Sequence, residues 1–492
     1  MKQQIKIDGG YYLSDSLPLT AQQCINLYPH QPLTEGSISA GALFRTPGIS
    51  QLQYIGIGAG RGFHKFQKSE ILFQVSGNQL ISQTSYNSTP TLIGTISGSG
   101  PVSMADNGLV LCIIVPGSTG YFYTIATGIL STITDPVFVD FQSQQGGVTS
   151  VCTKDGRFVY TTDLEFFLGS VPATNSGKDF DALDYEDAEV NPDPIVRALE
   201  INNELYIFNS ETTELYSNIG GSAFPYQRIS GATVDKGLKS RFGVVSFDRS
   251  FMFLGNSKYE LPAIWMTTSG AAQKVSTTCI DTLLQSYTDT QLKAVRAWTY
   301  MQDGHRFAGW TLPDQTIVFD STASESKGIP IWHVRQSSGS RWVVNDCVSI
   351  YGHVIVNHYI DGRVGDLSRD YPTEYNAAIT RTMALPYIFT NSNSFTISSA
   401  ELQCTSGSGR VISDVTQSGY DLNPSVEMFI SKTGARDYTS VGSRNLGADG
   451  QYQTRQIWRR LGRAQRDIIF KFETSSIALF DFQRLDIEIK GS

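Results

Sequence analysis

The chain is poor in charge, has no closely spaced cysteines and contains no long apolar run. Charged residues make up 17% of its 492 residues, whereas about 25% is usual for soluble domains. The smallest gap between neighbouring cysteines, Cys112 to Cys152, is forty residues, which excludes a CxxC redox motif or a zinc ribbon. We therefore expect the six cysteines to be buried free thiols.

No segment of the sequence predicts a signal peptide or a membrane-spanning helix. Residues 1–17 (MKQQIKIDGGYYLSDSL) contain no apolar core of the kind a signal peptide needs. The densest apolar run, Leu109 to Val115, is far shorter than the ~20 residues that cross a bilayer. We expect a soluble protein that is made in a cytoplasm.

Glycine and aromatic residues are abundant instead. The chain has 45 glycines, and aromatic residues reach 11%, mostly Phe and Tyr. Aromatic side chains favour half-buried strands, and a turn-rich composition disfavours long helices. The length favours two or three domains.

One pattern recurs along the chain: a polar turn, an apolar strand, and a second short strand about a dozen residues later. Its seven copies begin at Lys68, Asp106, Lys154, Asn202, Phe247, Asp303 and Ile350. This spacing is typical of β-propeller blades, which take about 40–50 residues each, and it predicts six or seven of them. The longest interval, between Phe247 and Asp303, contains a predicted helix in TTCIDTLLQSY, with Ile280, Leu283, Leu284 and Tyr287 on one face and Thr277 or Thr278 as its N-cap.

The pattern ends near Pro386, and strands of alternating polarity follow. They predict a C-terminal β-sandwich. The fold class is therefore all-β, with an extended N-terminal arm (1–46), a β-propeller (47–380) closed by strands from distant parts of the chain, and a β-sandwich (381–492).

Four segments partly match known metal-binding, ligand-binding or enzyme motifs, and each favours a structural interpretation. His353 and His358 face opposite sides of a strand because their separation is odd, and residues 56–63 (GIGAGRGF) lack the GxGxxG spacing. The acidic residues 179–194 lack the order of an EF-hand. Residues 431–438 (SKTGARDY) resemble a degenerate Asp-box, a structural hairpin turn, with Thr433 in place of its Asp. We expect no catalytic, cofactor-binding or metal-binding residue.

Five arginines lie within twelve residues of an acidic protein with net charge −8: Arg455, Arg459, Arg460, Arg463 and Arg466. The stretch predicts a hairpin, with a turn at 462–464 and a returning strand from Asp467. Alternation along the first strand would place Arg455 and Arg459 on one face and Arg460 on the other. A nucleic-acid arm needs a basic surround, which is missing, so we interpret these arginines as interface candidates that bind carboxylates in the sheet or across a subunit boundary.

Several segments resemble, in order and over nearly the whole chain, the packaged-DNA stabilization proteins of short-tailed phages. They include CINLYPHQP (24–32), RTPGI (45–49), TTELYSNIGGSAFPYQRISGATVDKG (212–237), FMFLGN (251–256), KVSTTCIDTLL (274–284), DGHRFAGWTLPDQTIVFD (303–320), IPIWHVR (329–335), RVGDLS (363–368) and WRRLGRAQRDIIFKF (458–472). The sequence departs from that family at Thr433, where an acidic turn residue is usual, and is only loosely similar over 441–453.

The resemblance implies a non-enzymatic tail hub of the virion, assembled in the host bacterial cytoplasm. It implies six copies around a DNA exit channel, joined to a portal-adaptor ring, to tailspikes or fibres and to a needle. Such a hub would retain packaged DNA and then conduct it without sequence-specific binding. The family has no catalytic residues to carry over.

The alternative is a propeller glycosidase or glycan-binding receptor protein, which the degenerate Asp-box and the exposed aromatics suggest. An enzyme of that kind would gather arginines and carboxylates at one mouth of the propeller. A hub would instead have side surfaces that are covered only in a ring.

Overall fold

The structure is a computed structural model. It describes residues 2–491 except 8, 15, 18, 33–38, 53–55, 172–174, 189–191, 221–223, 249, 269–270, 391–392, 409–420 and 422. Strands make up 56% and helices 7%, so the prediction of an all-β chain is confirmed. In the described part of the chain, no helix is long and apolar enough to cross a membrane.

The N-terminal part of the chain forms an extended arm whose strands pair with distant parts of the chain. Its strands are β1 (Lys2–Lys6), β2 (Tyr12–Leu13), β3 (Ala21–Ile25), β4 (Leu27–His30) and β5 (Ala42–Arg45), and β6 (Gly48–Gln51) directly follows it. Several of the undescribed positions lie in this arm, among them residues 33–38.

Seven sheets follow the arm and form the blades of a propeller. In six of the seven pairs of neighbouring blades the first strands lie side by side, as expected of the innermost strands of a propeller. Blades one to four are four-stranded antiparallel meanders. Blade one consists of β7 (Gly60–Lys65), β8 (Leu72–Ser76), β9 (Gln79–Gln83) and β10 (Thr91–Thr95), and blade two of β11 (Ser103–Asp106), β12 (Val110–Ile114), β13 (Gly120–Thr124) and β14 (Ile129–Thr132). Blade three consists of β15 (Val148–Lys154), β16 (Arg157–Thr162), β17 (Phe166–Val171) and β18 (Asp179–Asp187), and blade four of β19 (Ile195–Ile201), β20 (Glu204–Asn209), β21 (Thr213–Asn218) and β22 (Tyr226–Val234).

Blades five to seven carry additional short strands. They consist of β23 (Gly237–Leu238), β24 (Val244–Phe247), β25 (Ser250–Ser257), β26 (Glu260–Thr268) and β27 (Ala271–Lys274); β28 (Arg296–Gln302), β29 (His305–Thr311), β30 (Thr316–Asp320), β31 (Trp332–Ser337) and β32 (Ser340–Arg341); β33 (Val344–Ile350), β34 (His353–His358), β35 (Val364–Ser368), β36 (Thr373–Glu374) and β37 (Ala377–Ala378). Blade five begins with an additional short strand, β23, ahead of its innermost strand β24. With β23 left out of the numbering, the seven apolar strands of the repeat are the second strands of the seven blades, which confirms the propeller prediction.

Strand β6, which directly follows the N-terminal arm, is the fourth strand of blade seven. Strand β6 pairs antiparallel with β35, so that Gly48 lies opposite Ser368 and Gln51 opposite Gly365. A Cβ atom at position 48 would lie 2.3 Å from the Tyr371 carbonyl oxygen, so only glycine fits this approach. The propeller is therefore closed by strands from distant parts of the chain, as predicted.

Short helices lie between strands of the propeller. They are α1 (Pro136–Gln144), α2 (Thr278–Gln285), α3 (Asp289–Lys293) and α4 (Ser321–Lys327), with a short 3-10 turn at Asn175–Gly177. Helices α1, α2 and α3 lie in connections between blades, whereas α4 and the 3-10 turn lie between strands of a single blade. Helix α2 confirms the predicted helix: Thr277 is its N-cap, and Ile280 and Leu284 are buried. The side chain of Thr277 makes no capping hydrogen bond, so burial of the apolar face holds this helix in place.

Two sheets face each other in the C-terminal sandwich. Its strands are β38 (Arg381–Ala384), β39 (Ile388–Phe389), β40 (Phe395–Cys404), β41 (Ser425–Ser431), β42 (Thr439–Asn445), β43 (Gln456–Ala464), β44 (Asp467–Thr474) and β45 (Phe482–Gly491). One sheet has the order β4-β5-β45-β40-β43, with β1 beside β45, and the other contains β38-β44-β41-β42. Trp458, Phe472 and Phe482 lie in the core between the two sheets.

Strand β3 of the arm joins the propeller to the sandwich. Ile25 pairs in parallel with Val334 of blade six and antiparallel with Thr382 of β38. Blade six and one sheet of the sandwich are therefore a single hydrogen-bonded sheet. Whether residues 47–380 and 381–492 are separate folding units stays a prediction.

The cysteines are free thiols in the interior. Cys24, Cys112, Cys152 and Cys279 are buried, and Cys347 and Cys404 are partly buried. Burial raises the pKa of the Cys112 thiol to about 12, so this thiol is not a nucleophile at neutral pH.

Candidate interaction surfaces

The arginine-rich stretch runs along one edge of the sandwich and does not form the predicted hairpin. Strand β43 pairs with β40, whereas β44 pairs with β38 and β41 in the opposite sheet. The chain crosses between the sheets at residues 465–466, and the rings of Trp458 and Phe472 meet with centroids 5.7 Å apart. Both strands have an apolar face, and each buries that face in the shared core from its own side.

A β-bulge interrupts β43 and overturns the alternation expected there. The register slips between Ile397 and Ser399 of β40, and Arg460 adopts the left-handed conformation with φ 60°. Trp458 and Leu461 both lie in the core. They are three positions apart, whereas in a regular strand neighbouring side chains on one face are two positions apart. Arg459 and Arg460 are consequently both exposed, because the bulge adds one residue to the solvent side.

The five arginines differ in their partners. Arg455 holds Glu401 with two hydrogen bonds of 2.6 Å, and this carboxylate raises the pKa of Arg455. Arg466 Nε lies 2.6 Å from the Asp467 carboxylate, and Arg463 donates to the Ser394 hydroxyl. In the described part of the chain, no hydrogen bond or ion pair of Arg459 or Arg460 is found.

The other segments singled out in the sequence have structural roles. Residues 431–438 form the turn between β41 and β42, where Ser431 Oγ accepts the Ala435 N–H at 3.0 Å and Thr433 Oγ1 accepts the Asp437 N–H at 3.0 Å. Most of the acidic segment is β18, the outer strand of blade three; Glu189 lies outside the described residues. Residues 56–63 lead into the first strand of blade one.

The two neighbouring histidines lie apart from each other. His353 Nδ1 lies 3.0 Å from Asp366, and the imidazole stacks on Tyr86. His358 is buried beside Asp361 and Arg363, and burial followed by the Arg363 charge lowers the pKa of His358 to about 4. Among the described residues, no group of three His, Cys, Asp or Glu side chains could hold a metal ion.

Sequence reasoning missed a second arginine cluster, at one mouth of the propeller. A cavity of about 730 Å³ is lined there by five basic side chains, and no acidic residue is among the residues that line it. We call it the axial pocket. Its basic residues are Arg61, Arg241, Lys293, Arg296 and Arg341.

The blade repeat brings these residues together. Arg61 and Arg296 stand within the first two positions of the first strands of blades one and six. Arg241 and Arg341 come three positions before the first strands of blades five and seven. Because the innermost strands of a propeller all start at the same mouth, these four arginines meet there although they come from four different blades. An arginine close to the start of the first strand in several repeats is the signal that could have revealed the pocket.

Hydrogen bonds, most of them to main-chain carbonyl groups, hold the arginines of the axial pocket in place. Arg61 donates to the carbonyls of Gly77, Ser97 and Gly100. Arg296 donates to the Arg61 carbonyl at 2.9 Å and to the Asp346 carboxylate at 3.0 Å, while its buried Nε has no hydrogen-bond partner.

The charges of this mouth lie close together and are shielded from water. Burial, with a smaller contribution from the nearby Arg296 charge, lowers the pKa of Arg341 to about 10. Burial also lowers the pKa of Arg61 and of Arg241. All three guanidinium groups still carry a positive charge at neutral pH.

Comparison with known proteins identifies the family. A family model described as "Bacteriophage P22 Gp10, beta-propeller" matches residues 3–371, and one described as "Bacteriophage P22 Gp10, beta-sandwich" matches residues 380–490. The chain belongs to the Bacteriophage P22 Gp10 family. The resemblance inferred from the sequence is thereby confirmed.

One curated member of the Gp10 family is the tail hub protein gp10 of Salmonella phage P22, which is 24% identical over 447 residues and covers 88% of each chain. Among solved structures, the WD40 β-propeller domain of Doa1 is 14% identical with a TM-score of 0.39, covering 65% of this chain and 97% of that one. YCF48 bound to D1 peptide is 10% identical with a TM-score of 0.42, covering 66% and 96%. Both TM-scores are low, so membership of the Gp10 family rests on the sequence match.

Proposed function

We propose that this protein is a structural subunit of a phage tail hub. Membership of the Gp10 family over both the propeller and the sandwich is the observation that carries the proposal. The related protein of phage P22 is a tail hub protein. The place of action that follows is the tail of a virion, after assembly in the cytoplasm of a bacterial host.

The continuous sheet through β3 supports a mechanical role. A hub transmits load between the proteins above and below it, and backbone hydrogen bonds across β3 resist shear better than a flexible linker does. The arm is also held at its start, because β1 pairs with β45 from Lys2 to Lys6. Propeller and sandwich therefore behave as one rigid body in this proposal.

The partners proposed are six copies of the chain in a ring, a portal-adaptor ring on one side, and tailspikes or fibres and a needle on the others. Arg459 and Arg460 are the best candidates for contact with a carboxylate of a neighbouring subunit, because both are exposed. Phe389 and Tyr452 on the same sandwich are 65% and 68% exposed. Arginine and aromatic side chains together are typical of interface centres.

The channel formed by the ring would retain packaged DNA and then let it pass. Six copies at −8 each give a net charge of −48. A channel wall of this sign does not hold phosphates, since binding DNA through basic side chains gains free energy from counterion release. No sequence-specific contact with DNA is part of the proposal.

We propose no enzymatic activity. The glycosidase alternative expected arginines and carboxylates together at one mouth. Carboxylates do lie near the axial pocket, but they are paired with its basic residues and none is among the residues that line the cavity, whereas hydrolysis of a glycosidic bond commonly needs two carboxyl groups that face the substrate. A glycan receptor is also disfavoured. Guanidinium groups already cover one face of the Phe242 ring and one face of the Tyr359 ring, which reduces the aromatic surface that could stack on a sugar.

Native mass measurement of the assembly tests the proposal. The purified chain is mixed with the adaptor-bearing particles of its phage. The mass of the resulting tail complex is then measured, and a three-dimensional reconstruction of the particle gives the number of copies. We expect six copies below the adaptor. A ring of another number would overturn the sixfold arrangement, and a chain that is absent from the tail would overturn the hub itself.

A further inference from the structure

The axial pocket has the composition of an anion-binding site. It gathers five basic side chains with no acidic residue in its lining, in a chain whose net charge is −8. Three aspartates outside the lining offset part of this charge: Asp163, Asp289 and Asp346. An excess of positive charge remains, and such an excess is costly in a recess without a counter-charge, so the pocket is prepared for an anion.

Hydrogen-bond donors remain available at this mouth. Arg296 is not among them: its Nη1 and Nη2 already donate to Gly60 and Asp346, and its Nε, which has no partner among the described residues, is buried, so Arg296 contributes positive charge only. The hydrogen bonds of Arg341 use its Nε and Nη2, to the Trp342 carbonyl and to Asn345 Oδ1 at 2.6 Å. Lys293 stands at the rim with its side chain 66% exposed and pairs with Asp289 on its own helix. These groups can donate to a carboxylate without breaking the contacts that hold the loops.

Apolar side chains form a large part of the remaining wall, next to a few uncharged polar ones. Pro101, Val115, Pro116, Phe242 and Tyr359 line the same cavity. An inorganic ion would leave this surface in contact with water, whereas a peptide segment covers it with its own side chains. The volume of about 730 Å³ is within the usual range of ligand pockets, ~300–1,000 Å³. A DNA duplex, with a persistence length of about 150 base pairs, cannot bend into such a recess.

We propose that the axial pocket binds an acidic, extended segment of a partner protein, with a carboxylate held by Arg341 and Lys293 and attracted by the nearby charge of Arg296. Arginine favours carboxylates because its planar donors match their two oxygens. The proposal does not depend on a sixfold ring, since one chain contains the whole pocket. It places a protein contact at the propeller mouth, separate from the arginines of the sandwich.

A labelled peptide tests this inference. The probe is a short Glu–Pro repeat, which is extended and soluble, and the neutral comparison is a Gln–Pro repeat of the same length. Fluorescence anisotropy on the full-length chain should show that the acidic peptide binds and that the neutral peptide binds at least tenfold more weakly. The affinity of the acidic peptide should fall as salt is added.

Variants locate the site. Lys293→Gln with Arg341→Gln should weaken binding of the Glu–Pro peptide at least tenfold, whereas Arg459→Gln with Arg460→Gln, on the sandwich, should bind as the parent chain does. Circular dichroism checks folding; if the pocket variant is unfolded, the exposed Lys293→Glu replaces it and should also weaken binding.

Three results would overturn the inference: no binding of the acidic peptide, equal binding to the pocket variant, or tighter binding of a short single-stranded oligonucleotide that competes with the peptide. The last result would identify a nucleic-acid site. If the acidic peptide does not bind, protection of the chain against heat by inorganic phosphate would identify the pocket as a small-anion site.

Discussion

Asn26 and Gln336 hold each other with two hydrogen bonds at the junction of propeller and sandwich. Asn26 Nδ2 donates to the Gln336 carbonyl at 2.9 Å, and Asn26 Oδ1 accepts the Gln336 N–H at 3.0 Å. The same Nδ2 also donates to the Thr380 carbonyl at 2.8 Å. Asn26 is 2% exposed and has φ 56°, a conformation that asparagine tolerates well. One amide side chain thus connects blade six to the segment that enters the sandwich.

Replacing Asn26 with Ala should destabilise the chain by about 2–4 kcal/mol, because buried backbone groups lose their partners at ~1–3 kcal/mol each. Unfolding by urea measures this change. Ser338→Ala is the control: Ser338 shares the left-handed conformation, with φ 52°, but is exposed, and should change stability by less than about 1 kcal/mol. Equal effects of the two substitutions would show that the amide contributes nothing beyond its backbone conformation.

Replacing Arg459 and Arg460 together with Gln should leave the fold intact and weaken assembly. Both side chains are exposed, so stability should change by less than about 0.5 kcal/mol. Incorporation into the tail, measured by sedimentation with the adaptor complex, should fall at least tenfold if a neighbour supplies the carboxylate. Arg455→Gln is the matched control, because its Glu401 partner lies within the sandwich.

Normal assembly of the Arg459 and Arg460 variant, together with a salt-dependent loss of DNA binding, would contradict the structural interpretation of these residues. The Arg460 backbone allows a separate check of the bulge. Arg460→Gly should be nearly neutral and Arg460→Val destabilising, because a β-branched residue is strained at φ 60°.

A pair of fragments tests the domain division. Residues 47–380 retain β6 and therefore all strands of blade seven, and we expect this fragment to unfold in one cooperative transition. Residues 60–380 lack β6, which leaves the β35 edge unpaired, and exposed edges promote aggregation. We therefore expect residues 60–380 to aggregate. If residues 47–380 are insoluble as well, the propeller needs the arm or the sandwich to fold, and the boundary at residue 47 is wrong.

Acid should destabilise the protein through buried histidines. Burial, with the nearby Arg335 charge, lowers the pKa of His333 well below its usual value, and His358 has a pKa of about 4. The folded chain keeps both neutral, while the unfolded chain takes up protons below about pH 6.5. The free energy of unfolding is therefore highest above pH 6.5. It falls as the pH drops, by ~1.4 kcal/mol per pH unit for each proton that only the unfolded chain binds.

His333→Leu tests this pH dependence. Both ring nitrogens of His333 are buried without partners, so the substitution removes one proton-binding group and no hydrogen bond. Between pH 6 and 5, the slope of the unfolding free energy should decrease by roughly 1.4 kcal/mol per pH unit. An unchanged slope would show that His333 does not titrate on unfolding in this range.

Local patterns in the sequence were sufficient for the class of fold and for most of its strands. Seven apolar strands at near-regular spacing identified the second strand of every blade, and i, i+3, i+4 spacing identified α2. These elements were predictable because periodic burial leaves the same pattern in any chain that forms them. Family membership could likewise be inferred from short segments in order along the chain.

The β-rich architecture, the repeat and the low content of charge could be read from the sequence, since each follows from composition and from spacing between near neighbours. Tertiary contacts were needed to show that β43 and β44 belong to opposite sheets, that a bulge turns Arg460 to solvent, and that β3 joins blade six to the sandwich. They were also needed to show that arginines from distant blades meet in the axial pocket. The physical reason is that strand pairing and blade closure join residues far apart in the chain, and no local pattern specifies the partner.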